Sequence, residues 1–111
     1  MEIEMENYLD EAEKLLSNIE LQCDKLSLNS TVDIDVKRVG GMLTLGFDNQ
    51  TEMVINLQKP IEEVWLATKF NGYHFKFMQG SWLSTKSKEE FFEIFNRDAS
   101  DQSGFTVSFQ F

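Results

Sequence analysis

Over residues 5–26 apolar side chains recur every three or four positions: Tyr8, Ala12, Leu15, Leu16, Ile19, Cys23 and Leu26. At roughly 3.6 residues per turn they fall in one arc about 100° wide, which predicts an amphipathic helix. Leu28-Asn29-Ser30-Thr31 breaks the period and predicts its end. From Val32 the period drops to two. Val32, Ile34 and Val36 alternate with Asp33, Asp35 and Lys37, as in a strand with one wet face. Gly40-Gly41 predicts a hairpin turn, Leu43, Leu45 and Phe47 a second strand, and Asp48-Asn49-Gln50 another turn. Met53, Ile55 and Leu57 mark a third strand that stops at Pro60. Residues 64–68 read as a fourth and, past the Asn71-Gly72 turn, 73–77 as a fifth. Residues 81–84 give a short sixth.

Ser87-Lys88-Glu89-Glu90 has the form of a capping box, with Ser87 as N-cap of a second helix running to about Ala99. Phe91, Phe92 and Phe95 form its expected buried face. The tail from Gly104 to Phe109 reads as extended, apolar and packed. Helix, five- to six-stranded meander, helix is the order of an α+β two-layer sandwich, with both helices on one face of an antiparallel sheet. No repeat or linker divides it, so a single domain over 1–111 is expected.

Charge narrows the function classes. Ten basic and 19 acidic residues give a net charge of −9. A phosphate-backbone binder would want a basic face, so nucleic acid is an unfavourable partner. A basic protein surface or a cation suits the charge better. The single cysteine excludes a disulfide framework and any cysteine-rich metal centre within one chain. No apolar run reaches membrane-spanning length, and Met1-Glu2-Ile3-Glu4 lacks the form of a signal peptide. The expected setting is the cytoplasm.

The acids are not scattered. Glu6, Asp10, Glu13, Ser17, Glu20 and Asp24 are spaced +4, +3, +4, +3, +4 along the first helix. They form a stripe about 80° wide, roughly 130° from the centre of the apolar arc. An ordinary solvated face would interleave lysines at i+4, and this stripe forgoes them. Asp33 and Asp35 add two carboxylates to the first strand, and would extend the stripe into a ridge if helix and strand pack side by side. Carboxylate-only clusters suit hard cations, held weakly and with retained water. The plainer reading is a solvated helix face and charges that keep an edge strand from pairing. A catalytic carboxylate pair needs a dry cleft, so no catalytic residue is assigned.

Alternation turns Trp65 outward beside Ala67, with Asn56 and Gln58 outward on the preceding strand. An outward tryptophan among amides fits a contact surface for a protein partner, or simply the liking of tryptophan for strands. Cys23 lies in the apolar arc and reads as a small buried hydrophobe. His74 has no second histidine with which to build a metal site.

Three segments carry a resemblance. Gly40-Gly41-Met42-Leu43-Thr44-Leu45, Ile55-Asn56-Leu57-Gln58-Lys59-Pro60 and Val64-Trp65-Leu66-Ala67-Thr68-Lys69 are similar to the frataxin family. Gly72-Tyr73-His74-Phe75 and Thr106-Val107-Ser108-Phe109 resemble its bacterial branch. The resemblance implies two helices on a largely antiparallel sheet and a role in iron–sulfur cluster assembly. It implies weak binding of ferrous and ferric iron at Glu13, Glu20, Asp24, Asp33 and Asp35, where other hard cations could substitute. It further implies docking of that ridge on a basic cysteine desulfurase, and the helical stripe adds Glu6 and Asp10 to Glu20 and Asp24 as expected partner contacts. Asn56, Gln58 and Trp65 would then meet the desulfurase–scaffold complex. Tyr8 and Leu9 stand where bacterial relatives often place a histidine, and Leu21, Gln22, Lys25 and Lys37 thin the ridge. The expected protein is a monomeric, non-enzymatic regulator of cluster assembly. Its rivals are an iron donor or store, and an acidic interaction module that binds metal incidentally.

Overall fold

The computed structural model describes residues 5–111, with side chains from residue 7 onward. Helix α1 spans Met5–Asn29 and buries the arc its spacing predicts, from Tyr8 through Cys23, with Leu26 half-buried at its end. It continues through Leu28 and Asn29, where the sequence predicts a break. Leu28 is exposed, so packing does not drive the extra turn. Ser30 ends the helix: its hydroxyl donates to the Leu26 carbonyl at 2.6 Å and accepts the Val32 amide. A last-turn carbonyl is thereby satisfied.

Six strands follow as an antiparallel meander in chain order: β1 Ile34–Val39, β2 Met42–Phe47, β3 Glu52–Gln58, β4 Glu63–Ala67, β5 Gly72–Met78 and β6 Ser81–Ser84. The β1–β2 turn needs a left-handed residue, supplied by Gly40 at φ 57°. A 3₁₀ turn, Lys59–Ile61, carries Pro60 between β3 and β4. Ile34, Leu43, Leu45, Met53, Ile55, Val64, Leu66, Phe75 and Trp82 form the inner face, in one core with both helices. The other face is uncovered.

Helix α2 spans Phe91–Ser103, and its start corrects the capping-box expectation. Ser87 accepts only the Glu89 amide, Lys88 takes a left-handed φ of 65°, and Glu90 is the N-cap with no side-chain cap bond. Extended Glu90 instead bridges Leu83, and the Ser84 amide donates to the Glu89 carbonyl. Pairing with β6 thus outweighs the local cap. Phe91 and Phe95 are buried as expected, whereas Phe92 is half-buried. The helix runs past Ala99 to Ser103 and buries Asp98 and Gln102 as well. Asp98 accepts the Thr68 hydroxyl at 2.8 Å and the Tyr73 hydroxyl at 2.7 Å, fixing the β4–β5 turn to α2.

The tail packs as expected, with Val107 and Phe109 buried. Two side-chain amides clamp its backbone from opposite helices. Asn96 of α2 pairs with both polar groups of Phe109, and Gln22 of α1 does the same for Gln110.

Candidate docking and cation-binding faces

Asp10, Glu13, Ser17 and Asp24 lie exposed along α1, with Glu20 partly covered, as the helical spacing predicts. Glu6 lies outside the residues whose side chains are described. The stripe is not free carboxylate throughout. Arg38 shares its parity on β1 with Ile34 and Val36, so it points to the helix side of the sheet. From there its Nη2 reaches Glu13 Oε2 at 2.5 Å and its Nη1 reaches Glu20 Oε1 at 2.8 Å. Its Nε donates to the Gly40 carbonyl at 3.3 Å. The bonds to Glu13 and then Glu20 raise the affinity of the guanidinium for its proton.

Asp33 and Asp35 do not join Glu13 and Glu20. Asp35 pairs in register with Gly46 and alternates with inward Ile34 and Val36, so it belongs to the uncovered face. Asp33 precedes the strand and is exposed. The strand acids therefore sit across the β1 edge from the helix stripe. Among the described residues no group of three or more His, Cys, Asp or Glu side chains is close enough to hold a metal ion. Asp10, Asp24, Asp33 and Asp35 make no ion pair with any described residue. The chemistry available to them is weak, water-mediated cation binding or attraction of a basic surface.

The uncovered sheet face gathers the second set of residues. Register pairs Val39 with Met42, Met42 with Asn56, Asn56 with Trp65 and Trp65 with His74, one row across five strands. Gln58 lies opposite Glu63 in the neighbouring row. Trp65 is half-buried because its ring stacks on His74, at 4.3 Å between centroids and 8° between planes. Its Nε1 donates to Glu63 Oε1 at 2.8 Å. Glu63 is nearly buried, with His74 Nδ1 and Lys76 Nζ each 3.7 Å from its carboxylate. Its backbone carbonyl, on the inner side, accepts the Tyr8 hydroxyl at 2.6 Å. Glu63 thus ties the uncovered face to α1. Sequence reasoning missed both Glu63 and Arg38, although parity with Trp65 and with Ile34 carried the signal.

Cys23 is buried, and burial pushes its thiol up to about 12, with Asp24 and Glu20 adding to the shift. It is a protonated core side chain, not a ligand or nucleophile.

The architecture is that of an α+β sandwich whose distinctive residues lie on open faces rather than in a cleft. The chain belongs to the frataxin family: the frataxin-like domain matches residues 1–105. It is 50% identical over 97 residues to the iron-sulfur cluster assembly protein CyaY of Albidiferax ferrireducens, covering 87% of this chain and 89% of the relative. The CyaY of Paracidovorax citrulli is 46% identical over 102 residues, covering 92% and 93%. The solved frataxin of Psychromonas ingrahamii superposes with a TM-score of 0.85 at 33% identity, covering 98% of this chain and all of that one.

Proposed function

We propose that this chain is a non-enzymatic regulator of iron–sulfur cluster assembly, docking on a cysteine desulfurase through the exposed acids of α1. The observation that carries this reading is that Asp10 and Asp24, exposed on α1, are paired with no described residue, in a chain of net charge −9. Relatives named for cluster assembly at up to 50% identity supply the pathway. The row from Met42 through Trp65 to His74 then meets the scaffold protein, offering a stacked aromatic pair flanked by amides. Iron is a weakly held cargo of Asp24, the strand acids Asp33 and Asp35 and, where Arg38 yields, Glu13 and Glu20.

The donor or store reading is disfavoured by Arg38, which occupies two of the five proposed iron-binding acids. The two readings differ in how cluster formation depends on iron. Assembly on a scaffold is followed by absorbance, with and without this protein, at several iron levels. A regulator changes the rate by a factor that is constant across iron levels. A donor has its largest effect where free iron is scarce, and that outcome would replace the proposal.

A further inference from the structure

Arg38 is the one described residue that inserts a positive charge into the acidic stripe of α1. We propose that it is a tethered counter-cation: it closes the Glu13–Glu20 half of the stripe to free cations and leaves Asp10 and Asp24 open. This rests on reading the α1 acids as a functional surface.

The geometry argues for a built contact. Glu13 and Glu20 are seven residues apart, so they stand on one face of α1 about 10.5 Å apart along its axis. Their side chains nonetheless converge on Arg38, which gives Nη2 to Glu13 and Nη1 to Glu20 while its Nε is held by the Gly40 carbonyl. The Arg38 side chain is only 22% exposed, so its fork is fixed by packing as well as by charge. A planar, permanently charged fork bridges two carboxylates better than an ammonium could. Being covalently attached, Arg38 competes at the high effective concentration of an intramolecular partner. A free cation at these two acids must first displace it. Asp24 lies one turn beyond Glu20 and escapes the clasp, as does Asp10 one turn before Glu13. The stripe is thus divided, with a self-neutralised middle and two negative ends.

The test uses Mn²⁺ alone as the probe, read by paramagnetic broadening of backbone amides and by titration. Arg38→Met is expected to bind Mn²⁺ about tenfold more tightly than the natural sequence, because the tethered competitor is gone. New broadening should centre on Glu13 and Glu20. Adding Glu13→Gln and Glu20→Gln should abolish the gain. Equal affinity and equal broadening in the two proteins would overturn the proposal. So would a gain that survives the glutamine changes, since that is long-range charge and not release of these acids. Arg38→Lys, which keeps the charge but cannot fork between the acids, serves should Arg38→Met fail to fold. It is expected to show part of the same gain, and no gain there overturns the clasp. A natural sequence that binds no Mn²⁺ while the variant does would uphold the clasp and remove iron carriage from the function. Measurable and equal binding in both would keep iron carriage and remove the clasp.

Discussion

The indole of Trp65 lies flat on the imidazole of His74, 4.3 Å between centroids, because β4–β5 pairing sets the two directly opposite on the uncovered face. The stack is held at one end by Glu63, which accepts the indole N–H and sits 3.7 Å from the imidazole. A large aromatic group is therefore presented to solvent in a fixed orientation. Fixing it beforehand lowers the ordering cost of meeting a partner.

Trp65→Ala removes that stack and one hydrogen bond to a carboxylate on a partly open face, roughly 2 kcal/mol of stability in total. Trp82 is 2% exposed and packs edge-on against Tyr8 and Phe77, so Trp82→Ala should cost about 3–5 kcal/mol. Thermal melts of the two variants compare them directly. Trp65→Ala should fold and lose scaffold binding. A melt as low as that of Trp82→Ala would make Trp65 a core residue and withdraw it from the docking face.

Asp98→Ala removes the charged acceptor of the Thr68 and Tyr73 hydroxyls, leaving Thr68 only the longer bond to the Asn71 carbonyl at 3.3 Å. Hydrogen bonds to a charged group contribute roughly 1.5–3 kcal/mol each, so a loss of about 3 kcal/mol or more is expected from urea denaturation. A loss below about 1 kcal/mol would show the β4–β5 turn held by other contacts.

Alkaline pH should destabilise the fold through Cys23 and Tyr8. Burial raises the thiol from 9.0 and the phenol from 10.0, each to about 12. The folded state keeps both protons over a range where the unfolded chain releases them. Their stabilising effect is complete below pH 9 and is lost as pH rises towards 12. The melting temperature should fall across that window, and Cys23→Ala should flatten the part that begins near pH 9. An unchanged slope in Cys23→Ala would mean the thiol ionises as readily folded as unfolded.

The long periodic elements were legible because burial alone dictates their pattern. Tyr8 through Cys23 and the alternating positions of β1 to β5 needed no knowledge of their neighbours. The start of α2 was not legible, since Ser87 and Glu90 satisfy a local capping rule that the Leu83–Glu90 bridge overrides. The acid stripe was legible as a helical face, but its neutralisation was not. That required knowing that β1 runs under α1 and delivers Arg38 between Glu13 and Glu20. Asp33 and Asp35 show the complementary limit. Their alternation with Ile34 and Val36 already turned them from the helices, and a ridge drawn from sequence adjacency ignored it.

The most direct test is desulfurase binding by surface plasmon resonance, comparing the natural sequence with Asp10→Lys/Asp24→Lys. Neither aspartate contacts Arg38, so the variant alters the docking charge and spares the clasp. At about 0.1 M salt, where the screening length is about 10 Å, affinity should fall about tenfold, mostly through slower association. The gap should narrow as salt rises. Unchanged affinity at low salt would contradict docking through the acids of α1.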